Sequence, residues 1–277
     1  MSAPTFTRYF DAAPRPRVEV LFSSFTAGTA SVTVYRMAGG REQEMRGAIN
    51  AAVAGALTRI DIEIPFGVDV SYRAEQFDAS GVSLGFTASG VTNMNVAETW
   101  IHNPLDPQGA TTVSFHGQAV RSIVRRTEGE VVHPKGRRVG VLVSGQRRGI
   151  EGVDLTVTTD TIEQVDKLQA MFGSYTNNLP PILCICVGSN DRIRLPRPFF
   201  AAVMAPDERD VNYAMGIGTQ IVTEMIGDEV APPAPGILIP LLTNADINAF
   251  YATNADINTA ENNLAINRSY NLIGASA

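Results

Sequence analysis

Val68-Asp69-Val70-Ser71-Tyr72-Arg73-Ala74-Glu75 alternates apolar and polar side chains without interruption. On a strand, successive side chains point to opposite faces. Val68, Val70, Tyr72 and Ala74 therefore share a buried face, and Asp69, Ser71, Arg73 and Glu75 meet water. Ser31-Val32-Thr33-Val34-Tyr35 shows the same period, and Ile60, Ile62 and Ile64 alternate with Asp61 and Glu63. Turn chemistry separates these runs at Ala38-Gly39-Gly40, Pro65-Phe66-Gly67 and Asp78-Ala79-Ser80-Gly81. Short alternating strands with turns between them predict an antiparallel sandwich over residues 1–105.

Val70-Ser71-Tyr72-Arg73-Ala74, followed by Phe77-Asp78-Ala79-Ser80-Gly81-Val82-Ser83, resembles the penultimate strand and hairpin of a fibronectin type III domain. The resemblance implies an Ig/fibronectin-III-like fold for that sandwich. Trp100-Ile101-His102-Asn103-Pro104-Leu105-Asp106-Pro107 reads as its boundary, because two prolines and an Asn-Pro pair stop a strand. Trp100, the only tryptophan, is expected to pack between domains.

Residues 106–230 read as a second β-sandwich or barrel domain with one flanking helix. Val139–Val143 and Val153–Val157 are strand-like, and Ser144-Gly145-Gln146-Arg147-Arg148-Gly149 reads as the turn between them. The helix is expected over 161–172. Thr161-x-x-Gln164 fits a capping box, Ile162, Val165, Leu168 and Phe172 form one apolar stripe, and Gly173 stops it. Val230-Ala231-Pro232-Pro233-Ala234-Pro235-Gly236 is a stiff linker. Beyond it, Thr243-Asn244-Ala245-Asp246-Ile247-Asn248 recurs as Thr253-Asn254-Ala255-Asp256-Ile257-Asn258. Residues 231–277 are read as this linker and an extended C-terminal arm, whose apolar side chains suit packing on a neighbour.

The chain has 277 residues, 44% hydrophobic and 18% charged. That length suits two domains, and the apolar content excludes global disorder. A charge content below the roughly 25% usual for soluble domains fits a surface partly covered by other protein. No apolar window approaches ~18 residues, so no membrane partner is expected. The N-terminal stretch lacks the apolar run of a signal peptide. Cys184 and Cys186, two apart on one strand face, read as buried small hydrophobes rather than a disulfide.

Searches for nucleophile elbows, phosphate-binding loops, metal-binding helices and dinucleotide fingerprints find nothing. His102, His116 and His133 are too far apart for a local metal motif, and Asp207-Glu208-Arg209-Asp210 reads as a solvated loop. The expectation is a protein with no catalytic, cofactor-binding or metal site. Charge is lopsided, however. Between Arg121 and Arg148 lie eight basic residues against Glu128 and Glu130, while from residue 151 onward six basic residues face fifteen acidic ones. With a net charge of −6 and no interleaved aromatics, sequence-specific nucleic-acid binding is not expected. Self-association of a basic face with an acidic one fits better, steered by charge and held by apolar burial. Candidate interface residues are Arg137, Arg138, Arg147 and Arg148 in the basic segment, with Ile247, Phe250, Tyr251 and Ile257 in the arm.

Further stretches resemble the minor tail proteins of long-tailed bacteriophages that infect actinobacteria. They are Tyr35-Arg36-Met37-Ala38-Gly39-Gly40-Arg41, Arg46-Gly47-Ala48, Ile64-Pro65-Phe66-Gly67-Val68 and Tyr72-Arg73-Ala74-Glu75-Gln76-Phe77-Asp78. Thr99 to Pro107, Gly145-Gln146-Arg147-Arg148-Gly149, Arg194-Leu195-Pro196-Arg197 and the C-terminal repeat extend the resemblance. It implies a structural virion protein of the tail tip or baseplate, of the distal-tail kind. Such a protein is made in the host cytoplasm and forms a ring, hexameric in preference to trimeric, between the tail tube and the host-binding components. Its partners would be copies of itself and other tail-tube and tail-tip proteins. The alternative reading is a carbohydrate-binding adhesin module that contacts host cell-wall glycan.

Overall fold

Nine strands run through the first 93 residues of the computed structural model, which describes residues 2–173, 179–211 and 220–233. They are β1 (Thr5–Tyr9), β2 (Arg17–Phe22), β3 (Ser31–Ala38), β4 (Arg41–Glu44), β5 (Ala51–Ala52), β6 (Leu57–Asp61), β7 (Asp69–Phe77), β8 (Ser83–Phe86) and β9 (Gly90–Asn93). β1-β2-β6 make one sheet and β4-β3-β7-β8 the other, as a fibronectin-III-like sandwich requires. The alternating run around Tyr72 is β7, paired with β3 from Ser31↔Phe77 to Ala38↔Val70. Val18, Val20 and Phe22 meet Val32, Val34, Val70, Tyr72 and Ala74 in the core. Fully burying one such aliphatic or aromatic side chain contributes ~1.5–3 kcal/mol. The last strand is broken: β8 pairs with the C-terminal end of β7 and β9 with its N-terminal end. In the gap, the Thr87 N–H donates to Ala74 O (2.8 Å) and the Thr87 hydroxyl accepts from the Ala74 N–H (3.0 Å).

The expected alternation fails at Asp61 and Glu63, which are buried rather than solvated. The cause is Arg36 on β3, only 1% exposed. Its Nη1 donates to both carboxylate oxygens of Asp61 (2.7 and 2.9 Å), and its Nη2 to Gln43 Oε1 (2.9 Å) and Glu63 Oε2 (3.5 Å). Asp61 also accepts from the Tyr72 hydroxyl (2.7 Å) and the Glu63 N–H (2.9 Å), and Glu63 accepts from Arg46 Nε (2.8 Å). Burial alone would favour a neutral guanidine, but Asp61 and Glu63 hold Arg36 charged, with its pKa raised. Burial, together with the neighbouring Asp61 charge, pushes the Tyr72 phenol well up.

The second half comprises β10 (Thr99–Asn103), β11 (Asp106–Phe115), β12 (Val124–Val132), β13 (Val141–Glu151), β14 (Val153–Asp154), β15 (Val157–Thr159) and helix α1 (Ile162–Ala170). After the helix come β16 (Ile182–Cys186), β17 (Phe199–Val203), β18 (Asp207–Asp210), β19 (Ile221–Glu224) and β20 (Ile226–Glu229). Nine strands join in the order β14-β20-β17-β16-β10-β11-β15-β19-β18, and the sheet curls into a half-barrel. The Asn-Pro pair does not end a domain. Asn103 pairs with Asp106 across a tight hairpin, so Thr99–Asn103 belong to the second sheet rather than to a sandwich ending at residue 105. Asn103 fixes that turn: its Oδ1 accepts from the Leu105 N–H (3.0 Å), and its Nδ2 donates to Met171 O and Pro180 O (2.9 Å each).

β10, β16 and β17 are buried on both faces. Trp100, Cys184, Cys186 and Phe200 join the sandwich core, whereas Ile101, Leu183, Ile185, Phe199 and Ala201 line the inside of the curl. Trp100 thus packs at the junction as expected, and both cysteines are buried free thiols on one face. The helix has its capping box: the Gln164 N–H donates to Thr161 Oγ1 (3.3 Å), and the Thr161 N–H donates to Gln164 Oε1 (3.1 Å). It is shorter than 161–172. Val165, Leu168 and Met171 are buried and Phe172 packs against the inner core as expected, whereas Ile162 faces solvent. The linker begins as an anchored strap, with the Val230 N–H on Phe200 O (3.0 Å) and Arg46 Nη2 on Pro233 O (2.9 Å). Most of the expected arm, including Ile247, Phe250, Tyr251 and Ile257, lies outside the described residues.

Arg15, fully buried, pins the sandwich to β10 and β16. Its Nη1 donates to His102 Nδ1 (3.0 Å) and Cys186 Sγ (3.3 Å), and its Nη2 to Ile64 O (3.2 Å). With Nδ1 accepting, His102 carries its proton on Nε2, which is buried without a partner. Burial, then the guanidinium groups of Arg15, Arg46 and Arg36, hold the His102 pKa well below its ordinary value. Burial pushes both thiols up. At Cys186, hydrogen bonding from Cys184 and the charge of Arg15 overcome that and bring it down to about 6.

Two outcomes are expected. Asp61→Ala strands a buried guanidinium and lowers unfolding free energy by about 3–5 kcal/mol in denaturant titrations, against about 1 kcal/mol for Tyr72→Phe. Unfolded, His102 takes a proton below about pH 6.5; folded, it stays neutral. Its stabilising contribution is therefore complete above pH 6.5 and is lost as pH falls, by up to about 1.4 kcal/mol per pH unit. Stability curves of wild type and His102→Gln between pH 7 and 5 should diverge with that slope.

Candidate functional site

β12 and β13 pair only with each other and project from the body. Nine residues of β12 span about 30 Å at ~3.3 Å per residue. Val, Leu and Thr favour strand here, and the turn closes through the Arg137 N–H on Pro134 O (3.1 Å), with Gly136 at φ 88°. Ser144–Gly149, expected as a turn, is instead the middle of β13. The chain reverses earlier, at His133–Gly140, where proline and glycine lie together. At the root, Arg126 pairs with Glu151 (3.3 Å), and Arg148 bridges Glu128 and Glu151. Ile150 anchors the base in the inner core, and its N–H donates to Glu229 Oε2 (2.9 Å).

The outer half has no such support. Val132 and Val141 pair on one face with Val143 beside them, and Val131 pairs with Leu142 on the other. All five are exposed, as is Val139 at the tip (78%). An isolated two-stranded hairpin is marginal in water, and this one carries an apolar strip on both of its faces. Arg137 and Arg138 sit in the tip loop and Arg147 on β13, and none of the three has an ion-pair partner among the described residues. The four predicted arginines therefore divide: Arg148 braces the root, and the other three are available.

The mouth of the half-barrel carries a second surface feature, of opposite charge. β17 and β20 form one bank and β18 and β19 the other, enclosing a groove of about 910 Å³. Asp154, Asp207, Asp210, Glu224 and Asp228 line it, with Arg209 held between Asp207 (3.3 Å) and Glu224 (3.1 Å). Met204 (80% exposed) and Ile226 (70%) stand on its rim. The cluster Asp207–Asp210 is an exposed edge strand, not a loop. This acidic, apolar-rimmed groove was not apparent in the sequence, since its carboxylates come from four separate strands. The cluster at 207–210 was its one visible sign.

Among the described residues, no set of three or more His, Cys, Asp or Glu side chains is arranged to hold a metal ion. His116 lines the groove, His133 opens the tip loop and His102 is buried at the junction. No family model, curated protein or solved structure matches the chain.

The hairpin contributes only its root to the body. Replacing residues 128–147 by a two-residue turn should leave the thermal unfolding midpoint of the body unchanged within ~2 °C, as read by calorimetry.

Proposed function

We propose that this chain is a non-enzymatic structural protein that self-assembles head to tail, and that it serves as a ring in a bacteriophage tail tip between tail tube and host-binding components. The observation that carries the reading is the projecting hairpin, apolar on both faces and tipped with unpaired arginines. A contact between two different surfaces of one chain closes into a ring when its rotation allows. The acidic groove with Met204 and Ile226 on its rim offers the complementary surface: valines and Leu142 would gain burial against the rim, and Arg137, Arg138 and Arg147 would meet Asp207, Asp210 and Glu224. Exposed pairs contribute ~0–1 kcal/mol each, so charge sets register and encounter rate while apolar area holds the contact. The arm at 231–277 adds a second tie to a neighbour in this reading. The resemblance of Tyr35–Arg41, Thr99–Pro107 and Arg194–Arg197 to phage minor tail proteins supplies the setting.

The full-length protein should appear as closed rings by negative-stain imaging, with a solution mass several times 29.7 kDa. Reversing charge at Arg137, Arg138 and Arg147 should slow assembly several-fold at low salt, with the difference shrinking as ionic strength rises. A chain that stays monomeric at every concentration and also on a tail-tube template would overturn the reading.

A further inference from the structure

The root of the hairpin carries a second feature, which ring formation does not require. Residues 119–125 and 192–194 face each other across a cleft of about 480 Å³. Arg121, Arg125, Arg192 and Arg194 line it, and Ala119, Val120, Ile123 and Ile193 complete its walls, with no carboxylate among them. None of the four arginines has a hydrogen-bond or ion-pair partner among the described residues. Eight other arginines, Arg17, Arg36, Arg41, Arg46, Arg73, Arg126, Arg148 and Arg209, meet carboxylates, whereas Arg137, Arg138 and Arg147 on the hairpin, like the four of the cleft, do not. On the adjoining hairpin root, Glu151 is taken by Arg126 and Arg148, and Glu128 by Arg148.

Arg125 is half-buried on β12, where it pairs with Ile150 at the anchored end of the hairpin, and Arg121, Arg192 and Arg194 are exposed around the same cleft. Four like charges around one cleft with aliphatic walls, one half-buried and three exposed, give it a positive field, although the whole chain is negative. We propose that this cleft is an anion site for a small ligand bearing two or more linked phosphate groups, of the pyrophosphate class. Guanidinium forks match phosphate oxygens in pairs, and two segments approaching from opposite sides surround one compact, highly charged group better than they follow a strip of single carboxylates. The walls contain no aromatic side chain, so the site reads phosphate and does not stack a nucleobase. This inference is independent of the ring reading.

The test is calorimetric titration of the full-length protein with sodium pyrophosphate at low ionic strength, with tripolyphosphate, orthophosphate and citrate alongside. Pyrophosphate and tripolyphosphate should bind once per chain, at least tenfold more tightly than orthophosphate or citrate, and weaken steeply with added salt. Arg125→Gln with Arg194→Gln should weaken pyrophosphate binding at least tenfold, and Arg125→Lys with Arg194→Lys by less. Arg137→Gln with Arg138→Gln at the tip should leave it unchanged. A melting midpoint for the Gln variant at or above that of wild type establishes that the loss is not unfolding. No binding by wild type, equal binding by the cleft variant, or equal loss from the tip variant would overturn the site. Citrate binding as tightly as pyrophosphate would overturn its assignment to phosphate.

Discussion

The central strands β10, β16 and β17 must be apolar on both faces, and the rest of the architecture follows from that constraint. A sheet with one wet face could not join the sandwich core through Trp100, Cys186 and Phe200 while enclosing Leu155, Leu168 and Met225 on its other side. The near-continuous apolar run Ile182-Leu183-Cys184-Ile185-Cys186 meets that demand, and small thiols fit where the two halves approach closely. The two cores therefore share one wall. A defect in that wall weakens both, whereas the hairpin beyond Ile150 is energetically separate.

Polar groups at the junction give the apolar wall its direction. Arg36 with Asp61 and Glu63 locks one end of the sandwich, and Arg15 with His102 locks its contact with β10. Buried ion pairs are poor sources of net stability, because desolvation offsets their attraction. Their value here lies in discrimination: any slip of β6 against β3 leaves a guanidinium in the core without a carboxylate.

Local signals were legible in the sequence. The period-two pattern of β7 and the capping box at Thr161 depend on neighbours within a few residues, and both appear where the sequence places them. What failed depends on distant partners. Asp61 and Glu63 look solvated until Arg36 and Arg46 are placed beside them. Asn103-Pro104 announces a turn but not whether it joins two domains or two strands of one hairpin. Ser144-Gly145 through Gly149 has turn composition, yet cross-strand pairing and the earlier Pro134-Gly136 reversal keep it extended. The groove was hardest to read, because curling of the sheet, not sequence spacing, gathers its carboxylates. The available arginines of the tip were visible as a basic segment; that Arg148 is spent on Glu128 and Glu151 was not.

The broken last strand of the sandwich has a counterpart in how the chain exposes its backbone. β4, β8, β9, β14 and β18, at or near the sheet margins, have no more than four residues each, too few to template a foreign strand. The hairpin differs: β12 has nine residues and β13 eleven, and each has one margin that no other strand pairs, although at the root the Ile150 N–H reaches Glu229 Oε2. Register shifts on either side of Thr127 distort the inner part of these margins, leaving the regular outer part where the valines lie. Any extended peptide can compete for the N–H and C=O groups of that outer part. The outer hairpin is therefore the stretch of this chain most open to strand addition, and its exposed valines and Leu142 would add apolar burial to the backbone hydrogen bonds of whatever strand joined it.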